Sequence, residues 1–162
     1  MSADTVWYFA YGSNMTPAIF VERRRMRPLD ARPGWIDGYE LCFDIPVGSG
    51  ERGVANLAAV AAARTHGVAY LLHAADAAEL DRTEGVSNGL YYREPVDVVV
   101  PGNTRLGAFT YRSTISLPGR KPSPRYVGLL LEGARLHGLP AEWVAVLEAL
   151  ELAVDERPEH ER

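Results

Sequence analysis

The sequence has almost no cysteine and no long apolar run. Cys42 is the single cysteine among 162 residues, so no internal disulfide can form, and we expect a reducing, cytoplasmic setting. No stretch reaches the roughly 18 consecutive apolar residues of a membrane span. The N-terminal residues also lack the basic start and apolar core of a signal peptide. These absences argue against a secreted or membrane-bound protein.

An excess of positive charge is also missing. Seventeen lysines and arginines face 21 aspartates and glutamates, and the formal net charge is -4. Nucleic-acid-binding domains usually carry clustered positive charge, so no nucleic-acid partner is expected. The one basic cluster, residues 23–27, follows a predicted helix, where cations suit the helix dipole, and we interpret it as a solvated helix end. Lys121 is the only lysine, and the resulting arginine bias is typical of a GC-rich bacterial genome.

The usual patterns for a metal, a nucleotide or a covalent nucleophile are absent too. His66 and His73 lie seven residues apart on one predicted strand, so they should face opposite sides of the sheet. Ser13 does not stand in G-x-S-x-G, and Cys42 is interpreted as a small buried residue. Residues 48–53 match G-x-G-x-x-G, but a strand follows them where that motif needs a helix. We therefore expect neither a metal ion nor an organic cofactor.

Alternating and β-branched segments predict an α+β protein. Strands are expected at 6–11, 38–43, 53–60, 65–72, 91–100 and 104–112, with a short turn between the third and fourth. Helices are expected at 17–24, capped by Thr16, and at 124–137, capped by Ser123. Two more are expected at 74–83 and from 140 onward. The strands follow one another mostly as hairpins, which favours an antiparallel or mixed sheet. Residues 1–154 are predicted to form a single domain, and residues 155–162 a charged tail that should fray.

Two features stand out as candidate sites. The first strand breaks at Gly12 into Ser13 and Asn14, and a helix begins shortly afterwards. Backbone N–H groups in such a turn can bind an anion, but a simple turn with Asn14 capping the helix explains the pattern equally well. Glu84 precedes Gly85 at a predicted helix end, where the dipole disfavours a carboxylate. It could be an exposed helix-end glutamate or a functional acid.

The two features occur together, in this order, in a known family. The chain resembles the γ-glutamylcyclotransferases, including the γ-glutamylamine cyclotransferases and a bacterial enzyme that unmasks a γ-glutamyl group in aminoglycoside biosynthesis. Any one of the matching stretches is weak, but the ordered set is specific and spans about residues 6–152. The stretches are 8–14, 53–57, 67–70, 80–86, 122–126 and 138–140.

The resemblance implies a mixed, mostly antiparallel β-barrel flanked by helices, with the active site at one mouth. It assigns Glu84 as the catalytic acid and base, Tyr126 as a substrate contact and Asn14 as a brace for the loop. It also assigns a loop of substrate-binding residues, namely Tyr8, Phe9, Ala10, Tyr11, Gly12 and Ser13.

The implied reaction needs no enzyme nucleophile and no cofactor. The α-amine of a γ-glutamyl amide attacks its own γ-carbonyl, which releases 5-oxoproline and a free amine, so proximity supplies much of the rate. The partner is then a small γ-glutamyl substrate, and the protein is a monomer or a homodimer. Two alternatives remain open: a barrel of the same fold that only binds a small molecule or a partner, and a hydrolase of the γ-glutamyl amide.

Overall fold

The strands form a closed five-stranded barrel. The computed structural model describes residues 4–154, and the charged tail predicted at 155–162 lies outside these residues. The five strands are β1 (Thr5–Ala10), β2 (Asp30–Pro46), β3 (Gly53–His73), β4 (Tyr92–Val100) and β5 (Thr104–Arg112). Their order around the barrel is β1-β3-β2-β4-β5. The ring closes through a parallel pairing of β1 with β5, and the other neighbours are antiparallel. The predicted mixed, mostly antiparallel barrel is thereby confirmed.

Strands β2 and β3 are longer than the sequence pattern indicates. Residues 53–60 and 65–72 were predicted as two strands joined by a turn, but β3 is one strand of 21 residues. Its register with β2 shifts between Asp37 and Tyr39, which pair with Arg64 and Ala59. Four residues of β3 therefore face the single Gly38 of β2. This bulge, and not a turn, accounts for the break in the pattern.

Within residues 4–154, three α-helices and three shorter helical turns flank the barrel. The α-helices are α1 (Ala74–Thr83), α2 (Pro124–Leu136) and α3 (Ala141–Glu148). The short elements are 3-10 turns at Ser13–Met15 and Val86–Asn88 and a π-helix at Ala18–Arg23. The predicted cap Ser123 is confirmed, because its Oγ accepts a hydrogen bond from the Tyr126 N–H at 3.1 Å. The predicted Thr16 cap is wrong, because the buried Thr16 Oγ1 has no hydrogen-bond partner.

The core joins the barrel to the helices around it. Phe9 and Val68 of the barrel are fully buried, as are Leu80 of α1, Leu130 of α2 and Leu147 of α3. Burying a side chain of this size contributes about 2 kcal/mol. The helix positions that carry the active site are therefore fixed to the barrel by apolar packing. No helix among residues 4–154 is long and apolar enough to cross a membrane.

Candidate active site

A cavity of about 320 Å³ lies at the end of the barrel where β1 and β5 finish and β4 begins. Its lining includes Tyr11 and Tyr111, just beyond β1 and near the end of β5, and Tyr91, just before β4. Glu84 contributes the only carboxylate among the lining residues, and Arg24 the only cation. The volume is at the lower end of the range for small-molecule sites.

Glu84 occupies the C-terminal end of α1, as the sequence predicts. Helix α1 stops at Thr83, and Gly85 continues the chain in the left-handed conformation with φ 73°. A Cβ atom on Gly85 would also lie 3.2 Å from the Leu90 Cβ atom, so glycine suits this turn on both counts. The turn directs the Glu84 side chain into the cavity, where 10% of its surface is exposed.

Asn14 connects the loop after β1 to this carboxylate. Its Nδ2 donates hydrogen bonds to the Tyr8 hydroxyl at 2.9 Å and to Glu84 Oε2 at 3.2 Å. Its backbone carbonyl accepts a hydrogen bond from the Tyr70 hydroxyl at 2.9 Å. The family resemblance predicts that Asn14 braces the loop. In the structure Asn14 is also hydrogen-bonded to Glu84. One amide group thus fixes the distance between the two candidate sites.

Arg24 lies at the site, and the sequence interpretation missed it. Residues 23–27 were interpreted as a solvated helix end, but only 17% of the Arg24 side chain is exposed. Its Nε lies 3.3 Å from Glu84 Oε2 and donates to Asn14 Oδ1 at 2.9 Å, and its Nη1 donates to the Thr83 carbonyl at 3.3 Å. The segment before it is wound as a π-helix, with the Arg24 N–H bonded to the Ile19 carbonyl. Such wider turns are frequent at functional sites.

Gly12 and Ser13 contact Tyr126, which projects from the first turn of α2. A Cβ atom on Gly12 would lie 3.1 Å from the Tyr126 hydroxyl and 3.3 Å from the Ala55 Cβ atom. Ser13 hydrogen-bonds the same hydroxyl through its side chain and its backbone. The Ala55 N–H donates to it as well, at 3.2 Å. The predicted substrate contacts Gly12, Ser13 and Tyr126 therefore form one connected wall of the cavity.

Two residues of the predicted loop lie elsewhere. The side chains of Phe9 and Ala10 are 0% and 1% exposed, belong to the hydrophobic core and do not line the cavity. The alternation along β1 explains the position of Phe9, which points to the face opposite Tyr8. Tyr8 lines the cavity, and so does Tyr11, just beyond the strand.

Five tyrosine hydroxyls at the cavity are held neutral. Burial raises the pKa of Tyr8, Tyr11, Tyr91, Tyr111 and Tyr126 above the ordinary value. A tyrosine with a raised pKa remains protonated at neutral pH and cannot serve as a general base there. Glu84 is left as the lining group that can accept a proton.

No metal-binding cluster is found in the part of the chain that the structure describes: no three His, Cys, Asp or Glu side chains lie close enough together to hold an ion. Residues 48–52, the apparent glycine motif, form a loop between β2 and β3. This position confirms that the motif does not open a helix.

Comparisons with known proteins agree on one family. The model of the AIG2-like family matches residues 64–147. The chain is 28% identical to a bovine protein named gamma-glutamylcyclotransferase, over 91% of this chain and 80% of that one. It is 29% identical to a protein of Aspergillus oryzae named gamma-glutamyl cyclotransferase aclK, over 86% of this chain, and it spans 59% of that protein's length. A solved structure titled gamma-glutamyl cyclotransferase superposes with a TM-score of 0.82 at 25% identity, covering 96% of this chain and 93% of that one.

Proposed function

Because this chain belongs to the AIG2-like family, and because proteins named gamma-glutamylcyclotransferase share its fold and 25–28% of its residues, we propose that it is such an enzyme. The reaction closes a bond between the substrate α-amine and its own γ-carbonyl carbon and breaks the γ-amide bond. The products are 5-oxoproline and a free amine. The observation that carries the proposal is a single carboxylate, Glu84, held by Arg24 and Asn14 at the cavity.

In this reaction Glu84 moves the proton. The attacking α-amine has a reference pKa of about 8, so it must lose a proton before or as the new C–N bond forms. That first proton leaves to solvent, and the attacking nitrogen loses a second proton as the C–N bond forms. Glu84, the partner of Arg24, accepts this second proton and then returns it to the nitrogen of the departing amine. The number of protons on the enzyme is unchanged at the end of the cycle, which requires no second titrating group.

The loop after β1 binds and orients the substrate. Tyr8, Tyr11, Gly12 and Ser13 line the cavity beside Glu84, with Tyr126 across from the loop. The backbone N–H groups of this strand-to-helix turn suit a substrate carboxylate or the oxyanion that develops on the γ-carbonyl. The side chains of Phe9 and Ala10 support the loop from the core.

The test is the release of 5-oxoproline from γ-glutamyl amides by purified protein. Glu84→Gln removes the proton acceptor at nearly constant shape, and we expect a loss in kcat of about 10²-fold or more. Glu79→Gln is the matched control, because Glu79 lies on the same helix with 48% of its side chain exposed and pairs with Arg82. Equal rates for wild type and Glu84→Gln would contradict the assignment. Release of free glutamate in place of 5-oxoproline would identify a hydrolase, and tight binding without turnover a binding protein.

The single cysteine and the net negative charge further support a reducing, cytoplasmic setting and a small-molecule partner without nucleic acid. A monomer or a homodimer is proposed. The bacterial origin stays a prediction from the arginine and alanine bias.

A further inference from the structure

One wall of the cavity is apolar. Ile45, Pro46 and Val47 at the end of β2, Val54 on β3 and Leu90 before β4 all line it. Apart from Arg24 and Glu84, no lining residue within 4–154 carries a charge. A ligand that fills this cavity therefore meets hydrocarbon wherever it does not meet the loop or the Arg24–Glu84 pair.

The hydroxyl groups of the cavity are already engaged within the protein. The Tyr11 hydroxyl donates to the Tyr111 carbonyl at 2.5 Å, and the Tyr91 hydroxyl donates to the Ala55 carbonyl at 3.0 Å. The Tyr126 hydroxyl accepts from the Ala55 N–H at 3.2 Å. The Tyr8 and Tyr126 hydroxyls accept in their bonds and keep their own hydrogens, but they lie beside Asn14 and Gly12 of the loop, where the γ-glutamyl part binds. Neither lies on the apolar wall.

Arg24 does not offer a ready site for a second carboxylate. Its guanidinium group already contacts Glu84, Asn14 Oδ1 and the Thr83 carbonyl. A substrate carboxylate would compete with Glu84 for it and would stand close to the Glu84 charge. Placing a charge in a partly enclosed cavity without a partner is strongly unfavourable.

From these observations we propose that the amine released by the enzyme carries no charge besides that of its amino group. The rest of this amine is an apolar alkyl group. This inference rests on the proposed function and names the substrate class: γ-glutamyl amides of aliphatic amines. The γ-glutamyl part lies against the loop and Glu84, and the alkyl part lies against the wall of Ile45, Val47 and Val54. Amino acids, dipeptides and lysine side chains as leaving groups each bring a further charge that this wall does not match.

A pair of substrates that differ by one carboxylate tests the inference. γ-Glutamyl-isoamylamide is γ-glutamyl-leucine without the leucine carboxylate, so the alkyl group is the same in both. We expect kcat/KM to favour the isoamylamide by about 100-fold, which corresponds to roughly 2.7 kcal/mol. Equal or better turnover of γ-glutamyl-leucine, or of ε-(γ-glutamyl)lysine, would overturn the inference while supporting the proposed function. Failure of all three substrates to give 5-oxoproline would instead count against the proposed function.

A charged side chain placed in the apolar wall tests whether this wall contacts the leaving group. Val47→Arg introduces a cation at a half-buried residue, and we expect it to shift the ratio of kcat/KM values at least tenfold towards γ-glutamyl-leucine. The ratio is taken within one variant, so it does not depend on how much of the protein is folded. Val60→Arg is the control, because Val60 is 38% exposed and does not line the cavity, and its ratio should equal that of wild type. An unchanged ratio in Val47→Arg would show that this wall does not contact the leaving group.

Discussion

Replacing Arg24 by methionine tests whether this residue orients Glu84 through their ion pair. The change removes the guanidinium group and keeps much of the stem, so it deletes the 3.3 Å ion pair with Glu84 and the 2.9 Å hydrogen bond to Asn14. Exposed ion pairs contribute about 0–1 kcal/mol, and breaking a fully buried pair costs about 3–5 kcal/mol. The two side chains are 17% and 10% exposed, and Asn14 still donates to Glu84 in the variant.

The free energy of unfolding should therefore fall by an amount between these limits, about 2 kcal/mol. We also expect kcat to fall by about tenfold or more, with a smaller change in KM, because Glu84 loses a contact that orients it. Arg24→Lys should recover part of the rate, since an ammonium group restores the charge without the planar, two-sided contact.

The assay is 5-oxoproline release across pH, with urea unfolding to confirm that each variant is folded. Arg27→Met is the matched control: Arg27 follows Arg24 in the same basic cluster, but 84% of its side chain is exposed, 3.8 Å from Asp76. It should keep wild-type kinetics. If the kcat of Arg24→Met stays within threefold of wild type, Arg24 does not orient Glu84.

Two further predictions address the wall and the tyrosines of the cavity. Gly12→Ala should raise KM about tenfold, roughly 1.4 kcal/mol, because the new methyl group meets the Tyr126 hydroxyl at 3.1 Å and must displace it. Gly128→Ala on α2, where a Cβ atom meets nothing within 4 Å, should leave KM unchanged, and equal KM values for the two variants would contradict the contact. Burial raises the pKa of all five cavity tyrosines. The unfolded chain therefore loses these protons first, near its ordinary pKa of about 10, and stability falls as pH rises beyond that value by up to about 7 kcal/mol per pH unit. Tyrosinate absorbance at 295 nm should then rise together with the loss of near-ultraviolet circular dichroism, and full titration of a protein that keeps its fold would contradict the prediction.

The parts of the fold that the sequence predicts well depend on local signals. Gly85 ends α1 because glycine adopts the left-handed conformation more easily than other residue types. Ser123 begins α2 because its hydroxyl accepts a hydrogen bond from an N–H group of the first turn. Each signal acts over three or four residues and does not depend on distant packing. The position of Glu84 follows from the first of them and was correctly predicted as a helix end.

The full length of β2 could not be predicted, because its glycine serves a distant contact. Pro33 and Gly34 resemble a loop, yet both lie within β2. A Cβ atom on Gly34 would lie 2.6 Å from the Val99 carbonyl oxygen, on the strand that pairs with β2 at Trp35. Gly34 therefore permits a close approach between two strands, a requirement that becomes visible only when the barrel is closed.

Arg24 could not be found for a related reason. On an α-helix from Pro17, a basic cluster at the C-terminal end indicates solvent-exposed cations. The observed π-helix bonds the Arg24 N–H to Ile19, five residues back, and changes the direction in which the next residue points. Arg25 then adopts a positive φ of 63°, so the chain turns sharply after Arg24. The sequence carries no local signal for this winding.

The ion pair with Arg24 explains why the Glu84 carboxylate can lie at the C-terminal end of α1. The dipole of a helix disfavours an anion at its C-terminus by about 0.3–1 kcal/mol. The mostly buried ion pair with Arg24 opposes this with about 2 kcal/mol, so the attraction is larger than the repulsion. Glu84 is thereby tolerated as an anion at a position that would otherwise select against it. The same contact joins three segments, namely the loop after β1, the π-helix that follows it and the end of α1, which is distant from both in sequence. A site that relies on proximity within one substrate, and not on a nucleophile, requires that these three segments keep a fixed spacing.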